Sequence, residues 1–266
     1  MNHDTQHSID DDLALIRQAA REAGDIALGY FGRSPEVWWK NEGRSPVSAA
    51  DFASNDRLQS LLLGSRPGYG WLSEETDDDA VRLTRDRLFV VDPIDGTRAF
   101  INGEKTWCVS VAVVHQGKPV AGVLYAPALE EEFVATAGGP ALKNGQPISV
   151  STEKPGEQRQ IAVAEDMLGQ FAPGFRQTLN RIRHVPSLAY RLAMVADGRI
   201  DGTVVKRNSH DWDLAAADII LERAGGRLVD LDGRRLVYNR QAVTQGVLCG
   251  GAEHVLESLV AGLASG

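Results

Sequence analysis

The chain has 266 residues, 43% hydrophobic and 24% charged, enough to bury a core in one large domain or two smaller ones. Its net charge of −8 argues against a nucleic-acid polymer as partner, because phosphate-backbone binding needs a basic face. Two distant cysteines, Cys108 and Cys249, form no CxxC and exclude zinc-ribbon and dithiol chemistry. No apolar run reaches the roughly 18 residues of a membrane span, and the N-terminus lacks a signal-peptide pattern. A cytoplasmic location is the expectation.

The polar residues up to about Asp10 are expected to fray. Residues 11–32 carry Leu13, Ile16, Ala20, Ala23 and Ala27 at helical spacing and predict a helix. A short strand over 37–40, a loop over 41–46 and a second helix over 51–63 follow. Residues 68–75 read as a strand that stops on Glu74 and Glu75. Residues 76–87 read as an exposed loop in which Asp77, Asp78 and Asp79 are solvated. Leu88-Phe89-Val90-Val91 is a buried strand that runs into Asp92-Pro93-Ile94-Asp95-Gly96-Thr97. Strands over 107–114, 119–125 and 132–136, with the Asn144-Gly145 turn, predict an antiparallel or mixed sheet. Pro155-Gly156 marks a boundary between an α+β subdomain (1–150) and an α/β subdomain (151–266). In the second part the pattern predicts strands over 161–164, 200–205, 227–230 and 247–250, and helices over 171–180, 187–196, 212–224 and 252–263.

The stretch around Asp92 carries the chemistry. Two carboxylates three residues apart follow a buried strand, and Gly96 permits a sharp turn into a helix. Open α/β folds tend to bind ligands at such strand ends. Carboxylate pairs on a rigid turn suit Mg²⁺, which takes oxygen ligands and shares itself with phosphates. An alternative is a turn whose acids only cap a helix. Asp51, Glu74, Asp92, Asp95 and Asp213 all lie where a strand or loop meets a helix start, so they can converge from distant positions.

These motifs together resemble the inositol monophosphatase-like family of Mg²⁺-dependent, lithium-sensitive phosphatases. The D-P-[hydrophobic]-D-G-T pattern is met by residues 92–97. W-D-x-A-A is met by Trp212-Asp213-Leu214-Ala215-Ala216, followed by Ala224-Gly225-Gly226. The acidic pair is Glu74-Glu75, and [VI]-[ST]-x-x-D is met by Val47-Ser48-Ala49-Ala50-Asp51. The general look of residues 45–51 and 71–75 is closest to the bacterial 3'(2'),5'-bisphosphate nucleotidase branch.

The resemblance implies a layered α/β sandwich of two subdomains, the first carrying most metal ligands and the second supplying Asp213. Two or three Mg²⁺ ions would be held, one by Glu74, Asp92 and the Ile94 carbonyl, another by Asp92, Asp95 and Asp213. Asp51 and Thr97 would orient and activate the attacking water, and the Gly96 and Thr97 amides would grip the phosphate. The substrate would be a small phosphorylated metabolite. Lys206, where inositol monophosphatases tend to carry an acid, suggests with Arg207 that the substrate bears a second anion. That favours 3'-phosphoadenosine 5'-phosphate, converted to AMP and phosphate. Inositol-1-monophosphatase or histidinol-phosphatase activity on the same fold is the alternative, and a regulatory or binding protein retaining the fold is a rival of another class. A haloacid dehalogenase-like reading needs D-x-D-G-T, one residue shorter than the spacing here. Dimers are common in the family, so a homodimer is one assembly open to the chain.

Overall fold

A computed structural model describes residues 7–33, 36–40, 45–153, 156–183 and 185–264. The first part of the chain runs α1 (Ile9–Tyr30), β1 (Val37–Lys40), β2 (Ser45–Ser48), α2 (Ala49–Ser65), β3 (Gly70–Ser73), a 3₁₀ turn (Ala80–Thr84), β4 (Arg87–Asp95) and α3 (Thr97–Ile101). It continues through β5 (Cys108–His115), β6 (Lys118–Ala126), β7 (Glu131–Thr136), β8 (Leu142–Lys143) and β9 (Gln146–Pro147). The remainder is β10 (Arg159–Ala162), α4 (Glu165–Leu168), α5 (Pro173–Arg176), β11 (Leu179–Arg181), α6 (Leu188–Ala196), β12 (Gly202–Val205), α7 (Asp211–Arg223), β13 (Arg227–Asp230), β14 (Leu248–Gly251) and α8 (Glu253–Ala264). Among the described residues no helix is long and apolar enough to cross a membrane.

Two large sheets organise these elements. One has seven strands in the order β3-β4-β5-β6-β7-β8-β9, with β3 parallel to β4 and the other pairs antiparallel. The other has five strands in the order β11-β10-β12-β14-β13 and is also mixed. Strand side chains alternate between faces, and both faces of each sheet are buried. In β4, Phe89 and Val91 join Ile16, Ala20, Leu58 and Leu62 of α1 and α2. Leu88 and Val90 face the other way, into a cluster with α6 and α7. That cluster reaches Val205, Leu228 and Leu248 of the five-stranded sheet, whose far face packs on Val255 and Leu259 of α8. The result is a five-layer α/β/α/β/α sandwich with α6 and α7 in the middle layer.

A helix between two sheets must be thin and apolar on both sides. Ala215, Ala216 and Ala217 make α7 so, and all three are buried. It approaches β6 tightly at Gly122, where an added Cβ would lie 2.9 Å from the Ala216 carbonyl oxygen and 2.7 Å from Ile219.

The elements differ from the sequence reading most in four places. Against the fraying expected up to Asp10, Ser8 and Asp11 bond reciprocally and start α1 at Ile9; residues 1–6 lie outside the described residues. Residues 45–48 form a strand against β1, whereas 41–44 of that expected loop lie outside the described residues. The helix expected over 171–180 is only the turn Pro173–Arg176 followed by an edge strand. Phe171, Phe175 and Leu179 have helical spacing, but Leu179–Arg181 pairs with β10, so sheet pairing overrides the local pattern. The expected exposed loop over 76–87 contains a 3₁₀ turn with Arg82 only 2% exposed. Arg82 forks onto Asp78 at 2.6 and 2.9 Å, so Asp78 is an ion-pair partner rather than a solvated charge.

Candidate active site

The seven-stranded sheet delivers the central motif through a bulge. β4 pairs with β5 up to Asp92↔Ser110 and resumes at Asp95↔Cys108, so β4 carries one residue more than its partner between those pairs. Residues three apart on a regular strand point to opposite faces; the extra residue brings the two carboxylates to the same side. Asp92 Oδ1 accepts from the Ile94 N–H at 3.0 Å, which fixes the turn. Gly96 then takes φ +92°, a left-handed conformation, and an added Cβ would lie 2.9 Å from Ser187 Cβ. α3 starts immediately after it.

Asp213 arrives from the start of α7, where its Oδ2 accepts from the His210 N–H at 2.7 Å. Carboxylate oxygens of Asp92, Asp95 and Asp213 all lie within 4.8 Å of one another. The described residues lining this cleft, of about 220 Å³, are these three with Glu74, Gly96, Thr97, Arg98, Pro46 and Pro186. Glu74 follows β3, the neighbour of β4, and its N–H donates to the Val91 carbonyl at 3.2 Å.

Burial and like charge shape the acids. Asp92 is held well above the usual carboxylate range by desolvation and then by Glu74, Asp95 and Asp213. Asp95 is pushed up to about 7 by burial and the Asp213 charge, against hydrogen bonds that favour its ionised form. Those bonds come from the Ser187 hydroxyl and, at 2.7 Å, the Ala189 N–H in the first turn of α6. Arg191, further along α6 and buried, adds positive charge near Asp95, and burial pushes its own pKa down to about 10.

Asp51 is fully buried behind the cleft. Its Oδ2 accepts from the Ser48 N–H at 2.8 Å and the Ser48 hydroxyl at 2.6 Å, and burial lifts it to about 6. Its Oδ1 lies 3.1 Å from the Thr97 hydroxyl, which also reaches the Ile94 carbonyl at 3.0 Å. Thr97 lines the cleft, so it stands between Asp51 and anything bound there.

The structure therefore gathers Asp51, Glu74, Asp92, Ile94, Asp95, Gly96, Thr97 and Asp213 around one cleft. Lys206 is elsewhere: its ammonium pairs with Asp166 at 2.6 Å, and both side chains are more than half exposed. Arg207 lines a separate surface depression with Asp230 and Asp232. Sequence reasoning passed over Arg98, the arginine directly after the motif, and Ser187, which bonds to Asp95.

The donor set consists of oxygens, and buried carboxylates this close repel one another unless protonated or bridged by a cation. The residues thus fit a hard divalent cation. A family model described as the inositol monophosphatase family matches residues 9–264. The chain belongs to that family. Its members are phosphatases acting on small phosphorylated substrates, and the family is metal-dependent. An inositol-1-monophosphatase from Mesorhizobium japonicum is 32% identical over 243 residues, covering 88% of this chain and 91% of the relative. A histidinol-phosphatase from Mycobacterium tuberculosis is 33% identical, covering 95% of this chain and 99% of the relative. The crystal structure of the extragenic suppressor protein suhB from Bartonella henselae superposes with a TM-score of 0.85 at 30% identity, covering 96% and 99% of the two chains. The layered α/β architecture is thus that of this phosphatase family.

Proposed function

We propose that this phosphatase uses Mg²⁺ to hydrolyse a small phosphate monoester that carries a second anionic group, with 3'-phosphoadenosine 5'-phosphate as the leading substrate. The observation that carries the Mg²⁺ reading is the convergence of Asp92, Asp95 and Asp213 within 4.8 Å in a cleft that Thr97 and Arg98 also line. Asp92, Asp95 and Asp213 would hold one cation, and Glu74, Asp92 and the Ile94 carbonyl another. The bound metal supplies positive charge against a phosphate dianion and lowers the pKa of water.

The remaining roles fall to groups of the chain. Thr97 accepts a hydrogen bond from the attacking water while its own hydroxyl donates to Asp51. Asp51, lifted to about 6, is poised to receive the proton near neutral pH through Thr97. The Gly96–Thr97 backbone at the start of α3 grips the phosphate. Lys206 pairs with Asp166 away from the cleft, whereas Arg98 lines it and would face a second anion there. The relatives' names favour a second reading, in which the ester is inositol 1-phosphate or histidinol phosphate.

Phosphate release from these three esters at equal concentration, with and without Mg²⁺, tests both readings. Magnesium-dependent release is expected, highest from the nucleotide, and lost in Asp92→Asn. Preference for either other ester would overturn the nucleotide reading and leave the metal mechanism standing. A folded protein that binds Mg²⁺ but releases phosphate from no monoester would overturn the mechanism.

A further inference from the structure

Asp92 and Asp95 share one strand and one bulge, so their separation is set locally. Asp213 comes from a helix far along the chain, so its place relative to them is set by tertiary contacts. What anchors that turn lies behind it. Asp211, the first residue of α7, is fully buried. Its Oδ1 accepts from Gln245 Nε2 at 2.7 Å, and its Oδ2 accepts from the Asn239 N–H at 3.0 Å. Its own N–H donates to the Val243 carbonyl at 2.9 Å.

Asn239 passes the anchor on. Its Oδ1 accepts from Arg82 Nη1 at 2.7 Å, and Nη1 also reaches the Arg240 carbonyl at 3.1 Å. The other edge of the Arg82 guanidinium forks onto Asp78. Arg82 lies between β3, which precedes Glu74, and β4, which carries Asp92 and Asp95. The bonds thus run from the segment between Glu74 and β4 to the turn that carries Asp213.

We propose that Asp78, Arg82, Asn239 and Asp211 form a clamp that sets where Asp213 stands relative to Asp92 and Asp95, and so tunes the cleft's affinity for a divalent cation. They are positioning residues and touch neither substrate nor metal. The proposal rests on the metal-dependent reading of the cleft. A buried ion pair contributes little net stability but can fix geometry, and the turn fixed here carries Asp213 two residues on.

Asp211→Asn tests it, because an amide turned either way sets an NH₂ group against the Gln245 amide or the Asn239 N–H. Gln245→Leu removes one donor and serves if Asp211→Asn does not fold. Calorimetric titration of the metal-free proteins with Mg²⁺ alone should show binding weakened by about tenfold or more in Asp211→Asn. Gln245→Leu should weaken it in the same direction by less. Turnover at saturating Mg²⁺ should largely recover. Arg82→Met should behave like Asp211→Asn, with Arg82→Lys a partial rescue. Mg²⁺ affinity unchanged in every folded variant, whatever happens to Tm, would overturn the clamp. A wild-type protein that binds no Mg²⁺ would overturn the reading of the cleft and the clamp with it.

Discussion

Asp213 has two jobs that different substitutions separate. It belongs to the acidic triad, and it caps α7 through the His210 N–H. Asp213→Ala removes the charge and the cap, and a lost cap costs about 1 kcal/mol. Asp213→Asn keeps an acceptor for His210 and removes only the charge. The expected outcome is that both lose Mg²⁺-dependent phosphate release, whereas in thermal melts of metal-free protein the Asn variant is at least as stable as wild type and the Ala variant less so. An active Asn variant would take Asp213 out of the metal site. Single residues were legible in the sequence where the motif named them. They were not legible where their role depends on a distant partner: Lys206 is occupied by Asp166, Arg82 is buried by Asp78 and Asn239, and Ser187 bonds to Asp95.

Elements were legible where periodicity and burial agreed, as in α1, β4 to β7 and α7. The short pieces between β10 and α6 were not, because an apolar spacing of four suits a helix while pairing with β10 makes an edge strand. Nor did the motif show that Pro93 and Ile94 lie within a bulge, since a register shift is visible only against the paired strand. The packing of α7, which carries Asp213, on β6 is tight enough to test. At Gly122 an added methyl would meet the Ala216 carbonyl at 2.9 Å and Ala216 Cα at 3.0 Å, backbone that cannot turn aside. Gly122→Ala should therefore destabilise the fold by about 1–3 kcal/mol, the usual cost of overpacking. Thermal melts should show Tm lowered by several degrees, and an unchanged Tm would mean that α7 shifts freely on the sheet.

At the scale of the whole molecule, the acidic cleft makes stability depend on pH in an unusual direction. A carboxyl whose folded pKa is raised keeps its proton in the native state after the unfolded chain has lost it. Stability then falls as pH rises from the unfolded value, about 4, through the folded one. Asp51 and Asp95 place that window between about 4 and their folded values of about 6 and 7, and the rise at Asp92 acts in the same sense. Acids lowered by ion pairs, such as Glu132 between Arg17 and Arg21, act oppositely, but only below about their unfolded pKa. Metal-free protein should consequently melt higher at pH 5 than at pH 7.5. Mg²⁺ at pH 7.5 should recover most of the loss, because a cation bridging the carboxylates removes the penalty for ionising them. Asp218, lifted to about 7 beside Tyr238, lies in a different groove, so a small pH dependence should survive metal. Asp95→Asn should flatten the metal-free profile. If the metal-free Tm instead rises from pH 5 to pH 7.5, the acids are not held protonated by the fold, and repulsion within the triad is relieved by some means other than a cation.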